Sequence, residues 1–398
     1  MKTTQMTITK LIGVLAIAAG LFTSCSDDDT AESTGPSSSF VLNAADFKGD
    51  INDGEVVLDA SKTYKLTGKL LVKDGATLTI PAGTRIEGSG GTSAYIAVAQ
   101  GAKINVNGTA AKPVIMTSAS ATPVAGNWGG LVICGKAPIN RVSGGASTAQ
   151  SEVAELTYGG TVANDNSGSI TYLVVEYAGA AYSSTKEFNG VSLFGVGSGT
   201  TFNNVQAIHG ADDGFEFFGG SVNTSNLISV GNEDDQFDWT EGWNGTNTNW
   251  YGKIAYGKGN RGIEADNYEF GYGFTPISNP TITNITLVGP GSTASATDYA
   301  ENHAFKFRRG TKSLVTNAVI SGWKTGIDIE NDETLAFIGT ALKVTSVSFA
   351  DVVNKATGKK TDGSSSDVSA AFTESAAATG AGSGTAAPAW STGWSVAF

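Results

Sequence analysis

Phe215-Glu216-Phe217, Phe237-Asp238-Trp239 and Ile263-Glu264-Ala265 are three copies of one triplet, apolar–polar–apolar. The pattern also occurs upstream as Val191-Ser192-Leu193. Downstream it continues as Ile285-Thr286-Leu287, Phe305-Lys306-Phe307, Ile327-Asp328-Ile329 and Val347-Ser348-Phe349. The central residues lie 24, 22, 26, 22, 20, 22 and 20 positions apart. Ile208, Val230, Tyr256 and Ile320 each stand eight residues before a central residue and mark a second strand. A period-two alternation that itself recurs every twenty-odd residues predicts a solenoid of stacked β-coils, with strands paired about 4.8 Å apart. We expect an all-β fold, a right-handed parallel β-helix of about 20–26 residues per coil. The flanking apolar residues would fill its interior, and the central residues would face solvent on one side. A sandwich or propeller built of hairpins would put Asn-Gly or Asp-Gly turns between paired strands, and such turns are few and off the period.

The same unit is visible further upstream. Gly75-Ala76-Thr77-Leu78-Thr79-Ile80 and Gly101-Ala102-Lys103-Ile104-Asn105-Val106 share a frame and are each followed by a glycine turn. With 52 glycines and no sustained 3.6-residue stripe, the composition points away from helices. The β-helix is expected over residues 40–353, with Val41 to Leu58 capping one end, because an open end exposes unpaired strand groups. Residues 354–398 are rich in Ala, Gly, Ser and Thr, which predicts a loose tail whose apolar end, Ala389 to Phe398, docks back.

Residues 1–24 have the plan of a targeting segment: Lys2 and Lys10, then an apolar run from Leu11 to Phe22 that is too short to span a bilayer. Phe22-Thr23-Ser24-Cys25 resembles a lipoprotein signal box, which implies acylation of Cys25. The following Ser26-Asp27-Asp28-Asp29 resembles the acidic surface-export signal of Bacteroidota lipoproteins, although an acidic solvated tether has the same composition. Residues 25–39 read as that tether, and the expected location is the outer membrane, facing the cell exterior. With Cys25 acylated, only Cys134 is left, so no intramolecular disulfide can form. The net charge is −12, and loss of Lys2 and Lys10 with the signal takes it two units further, to −14. That balance argues against a nucleic-acid partner and for cations or cation-bridged ligands.

In this register Glu216, Asp238 and Glu264 stack on successive coils. Asp213, Asp235, Arg261 and His303 form a column three residues earlier, and Asp212 and Asp234 lie beside it. Lys306 and Asp328 follow Thr286 along the central column. Two like charges 4.8 Å apart repel by about 3 kcal/mol at an effective dielectric near 20 and by under about 1 kcal/mol in water. An exposed ladder would survive on solvent and salt. A cupped ladder would need a cation, a basic partner or raised pKa values. Calcium matches the donor set, since it takes six to eight oxygens in flexible geometry. The candidate metal ligands are therefore Asp212, Asp213, Glu216, Asp234, Asp235, Asp238 and Glu264. An equally consistent reading makes these residues Asx-turn formers on a solvated face.

Aromatic residues crowd the same region. Trp239 falls at an inward position and reads as core. Trp243, Trp250 and Tyr251 lie in or beside a Gly/Asn-rich insertion and are expected to stack on a sugar, with His303 and Lys306 as further ligand contacts.

Ala211-Asp212-Asp213-Gly214-Phe215-Glu216-Phe217, Asp234-Asp235-Gln236-Phe237-Asp238-Trp239 and Gly262-Ile263-Glu264-Ala265-Asp266-Asn267 resemble a family of uncharacterised Bacteroidota β-helix lipoproteins, over roughly Leu70 to Asn331. The architecture is more distantly similar to pectate lyases and polygalacturonases. The lyase resemblance implies calcium held by acidic residues and an arginine base, roles open to Arg261, Asp235 and Glu264. The polygalacturonase resemblance implies clustered aspartates for acid–base hydrolysis. Neither a Gly-His-Gly nor an Arg-Ile-Lys motif is present, and His209-Gly210 is only a fragment of the first. Three functional readings follow. The leading one is a surface lipoprotein that binds polysaccharide or another surface ligand through calcium. The second is a polysaccharide lyase or hydrolase using Arg261, Asp235, Asp238 and Glu216. The third is a structural stalk or adhesin.

Overall fold

The computed structural model describes Met1 and residues 36–144, 147–184 and 186–398. The signal segment, Cys25 and all but Pro36–Ser39 of the tether lie outside the described residues. The chain divides into two units, Met1–Ala31 and Glu32–Phe398, and the second is a parallel β-helix. Twenty-two of its strands join in one winding sheet, with a separate antiparallel pair formed by Thr148–Gln150 and Thr157–Gly159.

Three faces wrap the core. The first stacks Ile96–Val98, Leu131–Cys134, Val191–Phe194, Phe215–Phe218, Phe237–Thr240, Arg261–Ala265 and His303–Phe307. It ends on the C-terminal parts of Ser313–Glu330 and Leu342–Lys359. The second and third faces share one bent strand per coil, as in Thr201–Ile208, Thr224–Val230, Thr246–Lys253 and Thr281–Val288.

The bend is made by a left-handed residue at the same place in five successive coils, Asn204, Asn226, Asn249, Asn284 and Asn317, all with φ between 56° and 64°, with Tyr172 and Ser346 at the same place in the flanking coils. Asparagine tolerates this conformation better than most residues, and its amide can also bond to the coil below. Asn249 donates to Asn226 at 2.9 Å, Asn284 to Asn249 at 2.9 Å and Asn317 to Asn284 at 2.7 Å. The repeat therefore carries a side-chain ladder along its edge as well as the backbone ladder across its faces.

The triplets at Ser192, Glu216, Asp238, Glu264, Lys306 and Asp328 do form one outward column. Two expected members do not belong to it. Thr286 pairs with Tyr251 and Val319, and Ser348 pairs with Val319, on the third face. Any half-buried strand alternates in the same way, so the triplet pattern cannot tell one face from another. Lys306 consequently sits directly over Glu264, although a whole strand, Thr281–Val288, intervenes in the chain. In the second-strand column, Val230 pairs with Lys253, and Tyr256 lies outside the strands.

The ends differ from expectation in an informative way. Phe47–Ile51 and Glu55–Val57 are themselves the first rungs, with Phe47, Ile51, Val56 and Leu58 in the core. The strand Leu342–Lys359 runs past Asn354 and pairs with Ser313–Glu330 along its length. The expected loose tail is instead packed. Val368 and Ala371 are buried against the main core. Trp390, Trp394, Val396 and Phe398 then cover the outer side of the third face, over Val174, Ile208, Ile228, Val230 and Tyr251. That face is apolar outside as well as inside and must be covered. The Gln206 amide holds the tail by accepting from the Val396 N–H at 2.8 Å and donating to its carbonyl at 3.2 Å.

Candidate functional site: an acidic cavity on the first face

The turns that lead into the first face are stitched by the carboxylates of the coil below. Asp213 Oδ1 accepts the backbone N–H of Asp235 at 2.8 Å, and Asp235 Oδ1 accepts that of Arg261 at 2.7 Å. These two aspartates thus satisfy buried backbone donors that strand pairing leaves open. The Arg261 guanidinium is buried and reaches Asp235 Oδ2 at 3.0 Å, Glu264 Oε1 at 2.9 Å and Glu301 Oε2 at 2.9 Å. With three carboxylates around it, its proton is held more tightly than usual. The guanidinium is thus committed to three ion pairs, which weighs against the base role that the lyase resemblance implied.

The ladder is half-buried at the floor of an open-mouthed cavity. That cavity, of about 400 Å³, stands over Glu216, Asp238 and Glu264, within the size range of small-ligand sites. One wall comes from the excursion between Leu131–Cys134 and Gly168–Glu176, which brings Arg141, Glu152 and Tyr158 over the face. Tyr158 packs on Phe194, which stacks on Phe218 at 4.1 Å. Its hydroxyl donates to Glu241 Oε2 at 2.6 Å. Glu241 itself has φ 56°, an uncommon conformation for a side chain of this size. The opposite wall holds Tyr268, Glu269, Arg308 and Arg309. Arg308 bonds Glu264 Oε2 at 2.7 Å and Asp266 Oδ1 at 2.8 Å, and Arg309 bonds Asp266 Oδ2 at 2.6 Å.

Cupping changes the electrostatics. Burial, then the neighbouring carboxylates, push Asp213, Glu216 and Asp238 well above the usual carboxylate range. Burial also raises Asp235 and Glu264, against the pull of Arg261. Glu241 and Glu152 are raised by burial to about 7. Glu301 is the exception: although burial alone would raise it, the hydrogen bond from Lys306 and the charge of Arg261 bring it down to about 2.

Partners are shared unequally. Glu264 has Arg261 and Arg308, and Glu216 accepts from Asn189 Nδ2 at 2.7 Å. Asp238 has no hydrogen bond or ion pair among the described residues, and its Oδ1 is shut off from solvent. Ligand atoms of Asp213, Glu216 and Asp238 lie within 4.8 Å of one another, as do those of Asp235, Asp238 and Glu264, and those of Asp212, Asp213 and Asp234. Oxygens on one calcium, each at about 2.3–2.6 Å, stand within roughly 5 Å of one another. Asp238 belongs to two of the three sets. Of these two, the set with Asp213 and Glu216 is the one not neutralised by arginine, and its chemistry fits a divalent cation.

The other expected contacts are redistributed. Trp243 and Trp250 are fully buried and stack with Phe217 and Phe237 inside the coil, so they cannot meet a sugar. The insertion that carries them turns inward because their rings supply the core volume of that coil. Trp239 is core, and its indole donates to Thr311. Tyr251 lies under the C-terminal tail, with its hydroxyl on the Thr385 carbonyl at 3.0 Å. Lys306 is buried and committed to Glu301 at 2.7 Å, which takes it from the ligand contacts as well. His303 remains partly exposed beside Asp328, and burial lowers its pKa. Asp266 and Arg308 escaped notice in the sequence, although each stands two residues beyond a ladder member and so shares its outward parity. No periodicity announced Arg141, Glu152 and Tyr158, because they arrive on an excursion.

A model of the pectate-lyase-like β-helix domain matches residues 49–395. The chain belongs to this family. No curated protein matches the sequence, and no solved structure does. Within this pectate-lyase-like domain the acidic cavity is the concave, charge-lined feature of the first face, and membership suggests a carbohydrate-directed role without naming a reaction.

Proposed function

We propose that this pectate-lyase-like domain binds an extracellular polysaccharide in the acidic cavity, through a divalent cation of the calcium type held by Asp213, Glu216 and Asp238. The chain would be displayed at the outer membrane by a lipid on Cys25. The observation that carries the reading is Asp238, whose Oδ1 is shut off from solvent with no partner among the described residues, beside two carboxylates that lack a basic neighbour. A cation there would neutralise the set and leave coordination positions for the carboxylates or hydroxyls of a glycan. A second reading is a glycoside hydrolase. Glu241 and Glu152, with pKa values of about 7 on the cavity wall, hold protons in the range a general acid needs.

The test uses Glu32–Phe398 on polygalacturonate and on neutral polysaccharides, with calcium and then with chelator. Retention should require calcium and be lost in Asp238→Asn, with no new chain ends formed. Retention indifferent to both chelator and substitution would overturn the cation site. Release of reducing ends that is lost in Glu241→Gln would establish the hydrolase instead.

A further inference from the structure

On the corner between the third face and the acidic turns, three rings stack along the helix axis. Tyr177 lies on His209 with centroids 4.9 Å apart and planes 7° apart, and Tyr256 lies on His209 at 4.4 Å. Tyr177 and His209 are successive-coil equivalents, each following directly on the paired residues Glu176 and Ile208. The next equivalent is Gly231, one residue beyond Val230, the strand partner of Ile208. A Cβ at Gly231 would stand 2.2 Å from Cδ2 of Tyr256. The Tyr256 ring, arriving from the following coil, therefore occupies the place of the side chain that Gly231 lacks.

The stack is held at a conformational cost. Tyr177, His209 and Tyr256 have φ of 60°, 61° and 63°. Left-handed geometry is unusual for bulky residues, and Gly231 makes the same corner at φ 62° with no side chain to strain. Folding alone does not call for rings at a corner where glycine serves, nor for Tyr256 to lie over that glycine. Tyr256 is 59% exposed, so its ring is not there to fill the core. Burial lowers the pKa of His209, leaving the middle of the stack an uncharged ring near neutral pH. His209 and Tyr256 each open a turn that continues within a few residues into Asp212 or Asn260, beside the acidic face.

We infer that Tyr177, His209 and Tyr256 form a stacking platform for a pyranose ring, a second subsite that holds the same polysaccharide chain at the rim of the acidic turns. This rests on the polysaccharide reading above and adds a contact outside the cavity. Tyr256, the exposed end of the stack, offers its outer face to the C–H face of a pyranose, with His209 and Tyr177 backing it, while neighbouring Asp and Asn side chains accept from the sugar hydroxyls.

The chain has two histidines, His209 in the stack and His303 beside Asp328 and outside the cavity lining, so the His209 resonances report on the stack and His303 serves as the control. Histidine-ring NMR of Glu32–Phe398 would be followed while oligogalacturonate, and separately cello-oligosaccharide, is added. We expect the His209 resonances to move with one of these sugars. Tyr256→Ala should weaken that affinity about three- to ten-fold, and Tyr256→Phe should retain it. Calcium-dependent saccharide binding that leaves His209 in place would overturn the platform while sparing the cavity. A His209 shift indifferent to Tyr256→Ala would also overturn it. Silence of His209 towards both sugars, with neither sugar retained by the protein, would overturn both sites.

Discussion

Arg261 meets Asp235 twice, through its backbone N–H on Oδ1 at 2.7 Å and through Nη1 on Oδ2 at 3.0 Å. One side chain thereby anchors a turn and neutralises a charge. The same guanidinium serves Glu264 and Glu301, so the pair acts as a structural clamp at the acidic edge of the first face.

Removing the clamp should be costly. Arg261→Ala leaves Asp235 buried without its counter-charge, and breaking such a pair typically costs about 3–5 kcal/mol. Urea unfolding should show a loss of this order, and pairing Arg261→Met with Asp235→Asn should recover part of it. A loss under about 1 kcal/mol would show that solvent reaches the pair.

The acidic cavity should give an unusual pH profile. Glu241 and Glu152 bind their protons more tightly when folded, with pKa raised by burial to about 7. Their contribution is complete below about 4.5 and is lost as pH rises through about 7. Glu301, lowered to about 2, contributes above about 4.5 and is lost as pH falls towards about 2. Without divalent cations the melting temperature should therefore peak near pH ~4.5 and fall towards neutrality. Calcium should reverse the fall at neutral pH, because it binds the carboxylates once they have lost their protons. A melting temperature that rises steadily between those limits in chelator would contradict the assigned shifts.

The asparagine edge makes a separate prediction. Asn249 sits at φ 59° and links Asn226 to Asn284. Asn249→Gly loses the side-chain bonds and keeps the conformation, whereas Asn249→Ala loses both. The alanine variant should be the less stable by about 1–2 kcal/mol, measured by chemical denaturation. Equal losses would mean that the amide bonds alone matter.

How far the site could be read in advance varied along the chain. Glu216, Asp238 and Glu264 were legible because one strand spacing brings each over the last. Asp213 and Asp235 followed, since a turn of constant length keeps its own register. Thr286 was misplaced because alternation reports that a strand is half-buried and says nothing of which face it lies on. Trp243 and Trp250 were misjudged for a related reason: a Gly/Asn-rich setting suggests a surface, while the size of the rings made them the filling of the coil.

By itself the sequence determined the repeat, the β-helix class and the alignment of the acidic column, because local alternation and coil length are short-range properties that stacking preserves. Only the tertiary structure decided that the ladder is walled in, that Arg261 and Lys306 are locked in ion pairs, that the C-terminal tail covers the third face and that Tyr256 fills the gap left by Gly231. Those features depend on where excursions of irregular length land. Long-range burial and shape decide that placement, and they leave no period in the chain.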